Sequence, residues 1–112
     1  MKQENEMLPM MVAWFRENYP EIAPLMVYVP RATKTLEKKG ASFGSADLIL
    51  LYPTNGYSSL CVQVLGRTER NSDVHKRWRV LVENDGNKCV TIRDFESFAN
   101  EVEKYLSNSP YA

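Results

Sequence analysis

The sequence is poor in the residues that build disulfide frameworks or zinc sites. It has two cysteines, Cys61 and Cys89, and one histidine, His75, in 112 residues. With no CxxC pair and no matching histidine spacing, neither a disulfide scaffold nor a zinc cage is expected. Both cysteines sit inside apolar runs, where free cysteine behaves as a small hydrophobe, so reduced core thiols in a cytoplasmic protein are expected. No stretch approaches the roughly 18 consecutive apolar residues of a membrane span. The opening MKQENEM is polar and acidic, unlike a signal peptide. Internal repeats and low-complexity tracts are lacking, and the formal net charge is zero, which gives no general attraction to polyanions.

What remains is ordinary globular composition, 44% hydrophobic and 25% charged, of a length that suits one domain over 1–112. The charge is unevenly placed. Residues 31–79 hold Arg31, Lys34, Lys38, Lys39, Arg67, Arg70, Lys76, Arg77 and Arg79 against four acids, whereas both flanking segments are net acidic. A basic middle of this kind keeps nucleic acid open as a partner.

Periodicity divides the chain into alternating elements. Met7, Met10, Met11, Trp14 and Phe15 mark one face of a helix, and Pro9 suggests that its regular part begins near Leu8 or Pro9. Tyr19-Pro20 ends it. Leu25–Val29, between two prolines, reads as a strand. Arg31–Ser45 reads as a loop with a helical turn around Thr35–Lys39. The continuous apolar run from Asp47 to Tyr52 reads as a strand covered on both faces. Pro53–Gly56 is turn chemistry, and Leu60–Leu65 returns as the second arm of a hairpin. Ser72 caps a helix with Val74, Trp78, Leu81 and Val82 on its apolar face, and Gly86 suits its left-handed exit. Cys89–Ile92 is a last strand, related to the third by a parallel crossover. Asp94 caps a helix faced by Phe95, Phe98, Val102, Tyr105 and Leu106. Residues 107–112 are expected to fray. These elements specify a mixed sheet of about four strands flanked by three helices.

The order and the residues resemble the VRR-NUC family of the PD-(D/E)XK, restriction-endonuclease-like nuclease superfamily. The likeness rests on Trp14-Phe15, Tyr19-Pro20-Glu21, Pro24-Leu25 through Pro30, Gly44–Pro53, Gly56-Tyr57, Leu60-Cys61-Val62, Ser72 with Trp78, Leu81–Val90, Phe95–Phe98 and Tyr105-Leu106. Metal-dependent phosphodiester cleavage needs carboxylates at strand ends to hold Mg²⁺ or Mn²⁺, and a lysine near the attacking water. The resemblance implies an aspartate at Asp47 and a Glu-x-Lys triplet on the next strand. That triplet reads Gln63-Val64-Leu65, which removes one charge and the amine. His75 stands where the family has a glutamine, and Arg31 where it has an asparagine. Glu4 or Glu6 stands for the first-helix glutamate.

A degenerate nuclease follows as the leading expectation. Asp47, Gln63, Leu65 and His75 hold the catalytic positions, and Asp47 is a weak metal ligand joined by Glu4 or Glu6. No cofactor is expected, with Mg or Mn only if the chain is active. Arg31, Lys34, Lys38, Lys39, Arg67, Lys76 and Arg77 are the candidates for DNA contact, and a homodimer is the expected assembly. One competing reading is a structural or protein-interaction module with no nucleic-acid role. Another is an active metal nuclease in which Gln63 ligates through its amide oxygen and His75 or Arg67 replaces the lysine.

Overall fold

The computed structural model describes residues 2–31, 34–39 and 44–112, with side chains from residue 7 onward except 36 and 37. Helix α1 spans Lys2–Asn18, strand β1 Met26–Tyr28, the short helix α2 Lys34–Lys38 and strand β2 Leu48–Leu50. Strand β3 spans Leu60–Val64, helix α3 Asp73–Asn84, strand β4 Lys88–Ile92 and helix α4 Phe95–Tyr105. The four strands form one sheet in the order β1-β2-β3-β4. The first three run antiparallel to their neighbours, and β4 lies parallel to β3 after the α3 crossover.

Strand alternation sorts the side chains into two layers. Leu48, Leu50, Leu60, Val62, Val64, Val90 and Ile92 face α1 and α4, meeting Met11, Phe15, Phe98, Val102 and Leu106 in the main core. An edge-to-face aromatic group, Trp14 against Tyr19, Phe95 and Phe98, seals the contact between the two helices. On the opposite face Cys61 and Cys89, register partners, pack with Ala46 beneath Ile49, Trp78 and Val82. Both thiols are free and buried.

Local signals explain the connections. Thr54 and Tyr57 exchange both backbone hydrogen bonds around Asn55 and Gly56, whose φ angles of 57° and 82° are those of a tight hairpin turn. Ser72 and Asp94 cap α3 and α4 through their side-chain oxygens, accepting from the backbone N–H of His75 and Ser97. Gly86 leaves α3 at φ +92°.

Three expectations change. Helix α1 starts at Lys2, not at Leu8, and carries Pro9 within it. Pro9 is exposed, so its ring lies on the outer side of the helix, away from the core. On α3, Trp78 and Val82 pack inward, but Leu81 is 68% exposed and Val74 39%. The inward line instead runs through His75, because Ser72 and Gln63 hold that residue against the sheet. The C-terminal residues fold back in successive turns, with Tyr111 edge-on to Tyr52 and Asn108 Nδ2 donating to Asn55 Oδ1.

Candidate functional site

Asp47 immediately precedes β2, and its side chain lies on the α3 side of the sheet beside the end of β3. It is 3% exposed, so its carboxylate must be fully partnered. Its Oδ2 accepts the Val64 N–H at 2.7 Å. The guanidinium of Arg31 closes on the same carboxylate, Nε to Oδ1 at 2.9 Å and Nη2 to Oδ2 at 3.4 Å. Nη2 also donates to the Val64 carbonyl, and Nη1 donates to Glu69 Oε2 at 2.8 Å. One arginine thus joins two carboxylates and a strand-end carbonyl from three segments of the chain.

Glu69 is positioned by its own loop. Its Oε1 accepts the Gly66 N–H at 2.9 Å. Arg93, just past β4, donates from Nη1 to the carbonyls of Gly66 and Glu69 at 2.8 and 2.6 Å, which ties the 66–69 turn to the sheet. Glu69, Arg93, Thr91 and Gly44 all shape this region, and the sequence reading singled out none of them for the site. Only proximity in the fold reveals them. Asp47 and Glu69 are far apart in sequence and show no shared spacing.

Gln63 and Leu65 occupy the triplet positions, and neither presents a reactive group. The Gln63 carboxamide is 1% exposed and its hydrogen bonds are directed at structure. Nε2 donates to the Gly44 and His75 carbonyls at 2.9 and 3.0 Å, and Oε1 accepts from the Thr91 hydroxyl at 3.1 Å. Leu65 is 0% exposed. His75 sits in the first turn of α3 with Nδ1 2.7 Å from Ser72 Oγ.

The other expected site residues are distributed around this centre. Lys34, Lys38 and Lys39 are exposed on and just after α2, Arg67 is exposed in the loop that follows β3, and Lys76 and Arg77 are exposed on α3. Arg31, expected among the phosphate-contacting cations, is engaged in the Asp47–Glu69 network. Glu4 and Glu6 lie on α1 by backbone, but their side chains fall outside the described residues.

This donor set does not fit a divalent ion. Such ions take several oxygen ligands, and carboxylates supply the compensating charge. Among the described residues no group of three or more histidine, cysteine, aspartate or glutamate side chains is placed to hold one. The Asp47 oxygens already accept from Arg31 and Val64, and the Gln63 oxygen accepts from Thr91.

The chain matches no family model, and no curated protein matches it. Among solved structures, a VRR-NUC domain protein superposes with a TM-score of 0.82, covering 93% of this chain and 88% of its own, at 14% sequence identity. The architecture expected from the sequence, a VRR-NUC-like mixed sheet of four strands flanked by helices, is therefore the one observed.

Proposed function

We propose that this is a nuclease-fold protein that does not hydrolyse phosphodiesters and that binds DNA through its exposed cations. One observation carries the first half. Where metal-dependent cleavage needs an acid and an amine, the chain has a carboxamide hydrogen-bonded on both ends and a fully buried leucine. The second half is supported by Lys34, Lys38, Lys39, Arg67, Lys76 and Arg77, all exposed, since phosphate contact requires only a cation with reach. Titration of duplex and branched DNA at two salt concentrations tests it. Affinity should fall steeply with salt, and replacing Lys76 and Arg77 by alanine should weaken binding and flatten the salt slope. Salt-independent binding, or none at low salt, removes the DNA reading. Plasmid cut in Mn²⁺, with the cut abolished by Asp47→Ala, removes the claim of lost hydrolysis.

A second reading, a protein-interaction module, is favoured by the outer face of α3. Val80 and Leu81 are 54% and 68% exposed there, beside Lys76 and Arg77. Leu81→Ser separates the two, because it adds no charge beside the cations and should spare DNA affinity while removing an apolar protein contact.

We also infer a homodimer. Among the described residues strand β1 pairs with β2 alone, and Val27 and Tyr28 are exposed on it, which leaves an apolar edge suited to a second copy. Light scattering that finds a monomer at working concentration overturns this.

A further inference from the structure

We propose that Arg31 is the resident cation of the Asp47 pocket, standing where a divalent ion would otherwise meet the same oxygens. This deepens the reading that hydrolysis has been lost, and rests on it. All three nitrogens of the guanidinium are engaged. Nε and Nη2 fork onto Asp47, Nη2 reaches the Val64 carbonyl, and Nη1 reaches Glu69. Those acceptors are hard oxygens, three from two carboxylates and one from a carbonyl, which is the ligand type that Mg²⁺ and Mn²⁺ take. A planar guanidinium delivers one positive charge along fixed directions and remains protonated throughout the accessible pH range. A metal ion and this fork cannot use the same lone pairs together.

The arrangement explains two facts jointly. The Asp47 carboxylate stays buried, because a charge-assisted fork and the Val64 N–H partner it. Glu69, from the turn beyond β3, is drawn toward the same centre, although it belongs to neither strand. The pocket therefore carries two acids and one built-in cation. Removing the cation leaves carboxylates with excess negative charge and open coordination.

The test is Mn²⁺ binding, read by loss of the free-ion electron paramagnetic resonance signal, together with thermal melting. Wild type should bind no Mn²⁺ at the pocket. Arg31→Ala should bind it at about 0.1–1 mM, the weak end for oxygen sites, and its melting temperature should rise when about 5 mM Mn²⁺ is added. Arg31→Lys keeps a cation and should exclude Mn²⁺ as wild type does. Adding Asp47→Ala to Arg31→Ala should abolish the gained binding. If Arg31→Ala fails to fold in buffer, Mn²⁺ should restore folding, because an ion that binds only the native state stabilises it. Equal binding by wild type and Arg31→Ala overturns the proposal. So does Arg31→Ala that neither binds nor is stabilised by Mn²⁺. Neither result touches the DNA titration, which reads the exposed lysines, or the plasmid assay, which reads hydrolysis.

Discussion

Gln63 and Thr91 are register partners on the parallel strands β3 and β4, and the Thr91 hydroxyl donates to Gln63 Oε1 at 3.1 Å. The contact fixes which way the carboxamide points. With its oxygen toward β4, its nitrogen faces the Gly44 and His75 carbonyls. Gln63→Glu would turn an oxygen toward those two carbonyls in a site with 1% exposure. The expected cost is about 3 kcal/mol or more, from two lost hydrogen bonds and a buried charge that keeps the Thr91 hydroxyl but gains no cation. Urea unfolding measures it. Thr91→Val, which orphans only the carboxamide oxygen, should cost about 1–2 kcal/mol.

Leu65→Lys places an ammonium where the wild-type side chain is 0% exposed. A buried, unpaired lysine either loses its proton or unfolds its surroundings. The expected loss is about 3 kcal/mol or more, smaller at high pH where the amine is neutral. The double change Gln63→Glu with Leu65→Lys should therefore lower the midpoint of urea unfolding rather than rebuild a metal site. A stable double variant that binds Mn²⁺ would contradict this.

Gly44 has φ +79°, and a Cβ there would meet Val74 Cγ1 at 2.7 Å and the Val74 backbone at 2.8 Å. Gly44→Ala is thus both strained and overpacked, and it displaces the carbonyl that accepts from Gln63. A loss of about 2 kcal/mol or more is expected, visible as a lower melting temperature.

Asp94 caps α4, and the Ser97 backbone N–H, then the Ser97 hydroxyl, hold its carboxyl below the usual aspartate value. A depressed carboxyl contributes stability above its unfolded value of about 3.9 and loses it as pH falls through the lower folded value. Asp94→Asn keeps a capping oxygen but does not titrate. Its unfolding free energy should show a shallower acid-side slope than wild type, with little change near neutrality.

Burial, then the neighbouring Cys61, pushes the Cys89 thiol up to about 12, and burial also raises Cys61. The thiolate is the reactive form, so both cysteines should resist a disulfide reagent in the native state and react only on unfolding. Rapid labelling of the folded protein at neutral pH would contradict this burial.

Much of the architecture was legible because it depends on short-range patterns. The Phe95-to-Leu106 stripe, the Ser72 and Asp94 caps, the Asn55-Gly56 turn and the β2–β3 pairing are all set by neighbouring residues. The placement of Asp47 beside Gln63 followed from strand alternation. What escaped is relational. Periodicity put Leu81 on the inner face of α3, but the hold of Ser72 and Gln63 on His75 rolls the helix so that Leu81 faces outward. The role of Arg31 depends on Glu69, 38 positions away, and no spacing rule connects them. The helix rule that placed the start of α1 near Pro9 weighed the missing hydrogen bond but not the exposed side on which the ring falls.

The parallel pairing of β3 with β4 bears on the order of assembly. Strands β2 and β3 are joined by a short return, whereas Gln63 finds Thr91 only across 28 positions of chain. Closing that long loop costs entropy before its contacts repay it. A chain emerging from its N-terminus would therefore complete the hairpin while the carboxamide still lacked its hydroxyl partner, and the interior polar network would lock only when the final strand arrived.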